Sequence, residues 1–238
     1  MIHETVNFHE LIIFFIIVLR LAPSGSAFSQ PSRHYFVCHS HLKPELNLDL
    51  FEGEAQSIDS GALIWDAGSA LAEYLTDNAS EVSGKRILEL GSGTGVVGLT
   101  AASLGATEVI LTDKPELMTL LEQNIEANGL AGNARAMPLV WGDDVTTALL
   151  HAGDDNLLRP DIVCGSDLLY APDSFEFLLD TVLQVCQHVH TQVWLAYPTR
   201  FTEEIFFNQA IEYFDELEPP REIDSGIFLS RLQRRVYN

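Results

Sequence analysis

The chain has 238 residues, 47% of them hydrophobic, and a formal net charge of −21. This length and apolar content suit one α/β domain with a sizeable core plus an extension. The acidic surface repels phosphate backbones, so no nucleic acid is expected as a partner; it suits a basic protein, and a solvated surface kept for solubility accounts for the charge equally well.

In chain order, the first feature is Leu11–Leu19, LIIFFIIVL, a continuous apolar run. It is shorter than the roughly 18 residues of a membrane-spanning helix and fits the h-region of a secretory signal. Ser24, Ser26 and Ala27 offer a cleavage site, although the segment before the run carries Glu4 and Glu10 and no Lys or Arg. The junction SAF (26–28), with no acid from there until Glu45, also resembles the bipartite plastid presequences of algae with secondary plastids. The expectation is a secretory or plastid route, with this segment meeting membrane or translocation machinery, and otherwise a cytoplasmic location; a plain anchor and a wrongly placed start codon are the other readings of the segment. Residues 1–45 are therefore set apart as a poorly ordered extension, and 46–238 as the folded domain.

From Glu45 on, strands and helices alternate. GALIWDAGSALAEYL (61–75) has helical spacing, KRILEL (85–90) is a strand, VVGLTAASLGA (96–106) a helix and EVILTD (108–113) a strand. KPELMTLLEQNIEANGL (114–130) is a helix with Pro115 in its first turn and Gly129 at its end. ARAMPLV (134–140) and PDIVCGSD (160–167) are strands, SFEFLLDTVLQVCQHV (174–189) a helix, QVWLAYP (192–198) a strand and EEIFFNQAIEYF (203–214) a helix. GIFLSRLQRRVY (226–237) closes as strand material. The pattern predicts a Rossmann-like, mostly parallel sheet with helices on both faces, whose ligands bind beyond the carboxyl ends of the strands. Those ends are 89–95, Asp113, 141–144, 167–170 and 197–200. Cys38, Cys164 and Cys186 are too few and too scattered for a disulfide framework or a zinc site, and Cys164 lies in an apolar run that reads as buried. No pair of histidines among His151, His188 and His190 has metal-ligand spacing, so no metal is expected.

RILELGSGTGVVGL (86–99) carries the strongest motif. Gly91, Gly93, Gly95 and Gly98 permit a tight turn and close approach of a ligand to the backbone. GTGVVG (93–98) is itself a dinucleotide fingerprint, and Asp113 stands 20 residues after Gly93, where a carboxylate accepts bonds from ribose hydroxyls. These residues specify an adenosine-type cofactor, either a nicotinamide dinucleotide or S-adenosylmethionine. Glu89, two residues before Gly91, would repel a pyrophosphate but not a sulfonium cofactor that lacks phosphate, unless it is only a solvent-facing strand end.

ELGSGTG (89–95) resembles motif I of the seven-strand, S-adenosylmethionine-dependent methyltransferases. From about Gly61 to about Phe207 the chain is similar to the family-16 methyltransferases, many of which are protein-lysine methyltransferases. GALIWDAG (61–68) resembles that family's segment before motif I, which implies that Trp65 lines the cofactor pocket; core packing is the other reading of Trp65. LTD (111–113) matches the ribose-binding acid, Asp113. VWGDD (140–144) matches the segment placing Trp141 near the adenine, with strand-end packing an equal alternative, and Asp143 and Asp144 as polar neighbours. SDLLY (166–170) matches the acid-x-x-aromatic signature, which implies acceptor-side roles for Asp167 and Tyr170; helix capping is the alternative for Asp167. YPTR (197–200) resembles the segment closing the fifth strand.

The resemblance thus implies a seven-strand sheet, S-adenosylmethionine as cofactor and a protein-lysine acceptor. The acceptor nitrogen would attack the methyl carbon in line with the sulfur, with Asp167 orienting the amine rather than acting as a strong base. The absence of an N-P-P-Y segment speaks against adenine-N6 and glutamine acceptors. Two other classes stay open: a nicotinamide-dependent oxidoreductase built on GTGVVG, which lacks a Tyr-x-x-x-Lys segment here, and a catalytically silent cofactor-binding module.

Overall fold

The structure, a computed structural model, describes residues 32–38, 46–53, 60–145 and 159–235, the first stretch as backbone alone. The apolar run Leu11–Leu19, the cleavage residues Ser24, Ser26 and Ala27, and His151 lie outside the described residues. Two strands, β1 (Ser32–Cys38) and β2 (Leu46–Glu52), form an antiparallel hairpin. There follow α1 (Asp66–Asp77), β3 (Arg86–Leu90), α2 (Val96–Ser103), β4 (Glu108–Asp113), α3 (Met118–Ala127) and β5 (Ala134–Pro138). Then come β6 (Ile162–Ser166), α4 (Phe175–Val185), β7 (Gln192–Pro198), α5 (Glu203–Ala210), β8 (Phe214–Glu216), β9 (Arg221–Asp224) and β10 (Ile227–Arg234).

The main sheet runs β5-β4-β3-β6-β7-β10-β8, with β9 pairing along β10. The strands from β5 to β7 are parallel and β10 is antiparallel to each of its neighbours. This is the expected mostly parallel sheet, extended from seven strands to eight by the short β9. From β3 the chain builds outward through β4 and β5, then crosses back to place β6 and β7 on the other side. The crevice at that reversal is where such sheets bind ligands.

Strand alternation separates two cores. In β3, Ile87 faces a layer containing Leu71 of α1, Val97 and Leu99 of α2 and Leu121 of α3. Leu88 and Leu90 face the opposite layer, with Phe175, Leu178 and Val182 of α4 and Phe206 of α5. Helix α2 is buried on every side because α1 covers it against the sheet; Val96, Val97, Leu99, Ala101 and Ala102 are all inside. Cys164 and Cys186 are buried and free.

Element ends differ from expectation for local reasons. Helix α1 begins at Asp66 rather than Gly61, because Trp65 is extended at φ −98°, ψ 153° after a 3-10 turn over Ser60–Ala62. Pro115–Leu117 is a 3-10 turn ahead of α3, and Gly129, at φ +67°, ends the helix. Strand β5 stops at Pro138, which has no N–H to continue a ladder. Helix α4 ends at Val185 and α5 at Ala210, where the chain turns toward β7 and β8 respectively.

The hairpin reaches upstream of residue 46. Strand β1 lies inside the stretch set apart as 1–45 and pairs along the whole of β2. The signal-like composition upstream hid a short β-prone run, SRHYFVC. Asn124 of α3 and Asn128, its C-cap, clip β2 in place. The Phe51 N–H donates to Asn124 Oδ1 at 2.7 Å, and Asn124 Nδ2 donates to the carbonyls of Phe51 at 3.1 Å and Thr94 at 2.8 Å. Asn128 repeats the pattern on Asp49, accepting at 2.8 Å and donating at 2.9 Å. Farther along, Glu52 Oε1 accepts the Ile64 N–H at 2.7 Å, and the Gly53 N–H donates to the Ala62 carbonyl at 3.0 Å. The hairpin is therefore bonded to the segment that precedes α1 and, through Asn124, to the glycine turn.

Asn124 is fully buried, and Asn124→Ala removes three hydrogen bonds to backbone groups of Phe51 and Thr94. We expect a loss of about 3 kcal/mol in urea unfolding, against about 1 kcal/mol for Asn128→Ala at its partly exposed position. Equal losses would show that burial does not set the strength of the clip.

Candidate active site

The carboxyl ends of the central strands open into a cleft of about 1010 Å³. One end is built by the turn after β3. Gly93 has φ +55°, and a Cβ there would stand 2.5 Å from the Gly61 carbonyl oxygen, so only glycine fits. The Gly93 N–H donates to Asp113 Oδ2 at 2.8 Å, and the Lys114 N–H donates to Asp113 Oδ1 at 2.7 Å. Each carboxylate oxygen keeps a second acceptor position for a ligand. Burial raises the Asp113 pKa above its ordinary value, while these two amide bonds oppose the rise.

The wall opposite comes from the segment after β5. Leu139 and Trp141 lean in, and the Trp141 Cζ2 lies 3.4 Å from where a Gly91 Cβ would stand. The turn is held by the Gly142 N–H donating to Thr181 Oγ1 at 2.9 Å. Trp65 occupies the N-cap position of α1, where its carbonyl accepts the Gly68 and Ser69 amides. Its ring is 44% exposed and lines the cleft, so core packing is not its role.

The far end holds Ser166, Asp167, Tyr170 and Arg200. Asp167 adopts φ +58°, a left-handed conformation uncommon outside glycine, at the end of β6. Its N–H still donates to the Ala196 carbonyl of β7 at 2.9 Å. Arg200 grips its carboxylate through both terminal nitrogens, Nη1 to Oδ1 and Nη2 to Oδ2, the latter at 3.2 Å. Among the described residues no helix start uses Asp167 as its cap; the turn before α4 is closed by Ser174 Oγ donating to the Ala171 carbonyl. Tyr170 is 56% exposed at the rim, with Phe177 of α4 beside the mouth at 53%.

Of the nine residues singled out from the sequence, Trp65, Gly91, Gly93, Asp113, Trp141, Asp167 and Tyr170 line this cleft. Glu89 and Gly95 do not, and both readings are corrected. Glu89 is 1% exposed and points with Ile87 into the α1–α3 layer, where its Oε2 accepts the Gly98 N–H at 2.9 Å. Burial pushes its pKa up to about 8, outweighing the Gly98 bond that favours the charged form. It therefore presents no carboxylate to a ligand, and the pyrophosphate-repulsion argument fails. Gly95 is the N-cap of α2 at φ +82°, and a Cβ there would press Leu121 at 3.1 Å. Its place is in the turn and in helix packing.

Sequence reading missed Phe177 and the pairing of Arg200 with Asp167. Phe177 carried a faint signal, a large apolar residue off the buried stripe of α4 formed by Phe175, Leu178 and Val182. Arg200 lies within the strand-end segment 197–200 already marked as ligand-facing, but its partner is 33 residues away.

A central parallel sheet of this order, with a glycine turn and a strand-end acid at its switch point, defines the Rossmann-like methyltransferase class. Solved structures agree at the level of fold: P. horikoshii TYW2 in complex with MeSAdo has a TM-score of 0.53 at 16% identity, covering 87% of this chain and 72% of that one. SMU.776 complexed with SAH has a TM-score of 0.55 at 16% identity, covering 90% and 58%. The model of the lysine methyltransferase family matches residues 42–214. EEF1A lysine methyltransferase 3 of Mus musculus is 30% identical over 213 residues, 88% of this chain and 84% of its own length. Protein N-lysine methyltransferase METTL21A of Mus musculus is 33% identical over 154 residues, 63% and 66% respectively. Histone-arginine methyltransferase METTL23 of Rattus norvegicus is 34% identical over 149 residues, 60% and 62%. The chain belongs to the lysine methyltransferase family, and it is an S-adenosylmethionine-dependent methyltransferase.

Glu89 makes a pH-dependent contribution to stability. Its folded pKa, about 8, lies above its unfolded value, so the native state holds the proton more tightly; the favourable contribution is complete below the unfolded pKa and is lost as pH rises through about 8. Glu89→Gln keeps an acceptor for Gly98 and cannot ionise. We expect the Tm of the natural chain to fall relative to that of Glu89→Gln from about pH 5 to about pH 8, then to run parallel. A difference that is constant with pH would show that Glu89 does not titrate in this range.

Proposed function

We propose that this protein transfers the methyl group of S-adenosylmethionine to the ε-amine of a lysine on a basic protein substrate. The observation that carries this reading is a cleft joining two different ends: the glycine turn with Asp113, and the Asp167–Arg200 pair with Tyr170. One end suits an adenosine-bearing cofactor and the other an acceptor side chain. The mouth between them carries exposed Trp65, Tyr170 and Phe177, an apolar rim for the methylene stem of a long side chain. The formal charge of −21 favours encounter with a cationic partner. The names of the relatives add that EEF1A is the acceptor of one of them.

The residues present fit the cofactor. Asp113 offers free acceptor positions to a ribose, the turn at Gly91 and Gly93 admits a ligand against the backbone, and Trp141 with Leu139 offers an apolar wall for an adenine. When bound, S-adenosylmethionine supplies an electrophilic methyl group on a sulfonium. The protein's own residues orient the acceptor and exclude water. A lysine amine, with an ordinary pKa near 10.4, attacks only when neutral, and apolar surroundings lower that pKa. Trp65, Tyr170 and Phe177 provide such surroundings, and the amine's N–H groups find acceptors at Asp167 and nearby carbonyls. The apolar run Leu11–Leu19 supports delivery by a secretory or plastid route, which sequencing the amino terminus of the mature protein would check.

Binding and transfer are tested separately. Calorimetry should give micromolar affinity for S-adenosylmethionine, about −8 kcal/mol, and negligible binding of NAD. Asp113→Ala should cost about 2–3 kcal/mol of that affinity in a folded protein, since bonds to a charged acceptor are the strong ones. Unchanged affinity would place the ribose elsewhere. For the acceptor, labelled methyl transfer to purified EEF1A and to a fractionated extract should put label on lysine. Label on arginine would replace the lysine reading, and binding without transfer would establish the silent module.

A further inference from the structure

We propose that Arg200 is a positioning residue that neutralises Asp167, so that the acceptor amine enters the cleft without its proton. The inference rests on the lysine-acceptor reading and deepens it. A lone carboxylate beside the acceptor would create a difficulty: an opposite charge within a few ångströms stabilises the ammonium and raises its pKa, whereas attack needs the free amine. The structure resolves this through the guanidinium. Arg200 meets both oxygens of Asp167 at once, Nη1 on Oδ1 and Nη2 on Oδ2, so the paired site is close to neutral. Each oxygen keeps a lone pair that accepts an N–H from a neutral amine. Asp167 thus orients without holding charge.

The pair is built rather than incidental. Asp167's side chain is only 10% exposed, and Arg200's is 37% exposed, on the cleft side. Arg200's own N–H donates to Glu203 Oε2 at 3.0 Å, and Thr202 Oγ1 donates to the Leu169 carbonyl at 2.6 Å, stitching the loop after β7 to the loop after β6. Phe201, next to Arg200, takes φ +65°, so both loops hold a non-glycine residue in the left-handed region. The charged groups facing Arg200 are Asp167 and Glu203. Tyr170 shares this end, and Asp113, Lys114 and Glu116 stand at the cofactor end of the same cleft. Glu203 is 8% exposed and engaged by the Arg200 amide, which leaves Asp167 as the carboxylate an acceptor meets.

In the transfer itself, the ammonium first releases its proton to solvent. The N–C bond then forms as the C–S bond breaks with its electron pair on sulfur, and the product amine carries the positive charge. Arg200 acts on the first of these events and touches none of the reacting atoms.

The test uses the full chain with n-butylamine, the distal carbons and amine of a lysine side chain, as the probe. With S-adenosylhomocysteine present, calorimetry in buffers of different ionisation enthalpy counts the protons released on binding. The natural protein should release close to one proton per amine near neutral pH, and Arg200→Leu close to none. With S-adenosylmethionine, the acid limb of the transfer rate should move about two pH units to the alkaline side in Arg200→Leu, a loss of about tenfold near neutral pH that closes at high pH. Arg200→Lys, which keeps the charge, should restore most of the limb. Asp167→Asn placed in the Arg200→Leu background should bring the limb back to its natural position, because no lone carboxylate remains. S-adenosylhomocysteine affinity in each variant verifies the fold. Equal proton release by the natural protein and Arg200→Leu, or a loss that is the same at every pH, overturns the inference. A natural protein that labels arginine or no protein at all removes the lysine reading instead, and the proton count on n-butylamine still decides what Arg200 does.

Discussion

The hydrogen bond from the Gly93 amide to the Asp113 carboxylate fixes the relation on which the site depends. It ties the turn after β3 to the end of β4, the two places that a ligand at the switch point must span. Neighbouring bonds reinforce it: the Ser92 N–H donates to the Thr112 carbonyl at 2.9 Å, and Thr112 Oγ1 donates to the Glu89 carbonyl at 2.7 Å. A turn held this way arrives preorganised, so binding does not have to order it. The requirement propagates outward. Gly93 must be glycine because Gly61 closes over it, and Gly61 is placed by the segment to which Glu52 is bonded.

Much of this was legible in the sequence because it is local. Strand periods, Pro115, Gly129 and the interval from Gly93 to Asp113 are short-range facts, and β4 and β7 fall on the residues expected of them. What could not be read depends on distant pairings. Arg200 and Asp167 are 33 residues apart and meet only because β6 and β7 are neighbours in register. Asn124 and Phe51 are 73 residues apart, and nothing local about either announces that a helix side chain will substitute for a strand partner. The strands β8 and β9, of three and four residues, escaped because so short a run offers little alternation to detect, and β1 and β2 lie within or directly after the stretch set apart for its signal-like composition.

Glu89 shows how a correct motif can carry a wrong reason. The acid does accompany the glycine turn, but the period of two places it with Ile87, under α2. A Cβ at Gly98 would stand 2.6 Å from its Oε2, so the carboxyl and the helix occupy nearly the same space and meet through an amide instead. Its work is to seat the first turn of α2, one layer removed from any ligand. Proximity in sequence to a binding turn is a weaker guide than the face on which the side chain emerges.

The clip on β2 has a mechanical consequence. Asn124 holds Phe51 with one set of atoms and the Thr94 carbonyl with the same amide nitrogen. Tension applied to the amino terminus therefore travels along the hairpin, into one buried side chain, and onto the turn that shapes the cofactor end of the cleft. Releasing β2 would slacken that turn while leaving the central sheet paired. The hairpin is in this sense a handle on the binding site.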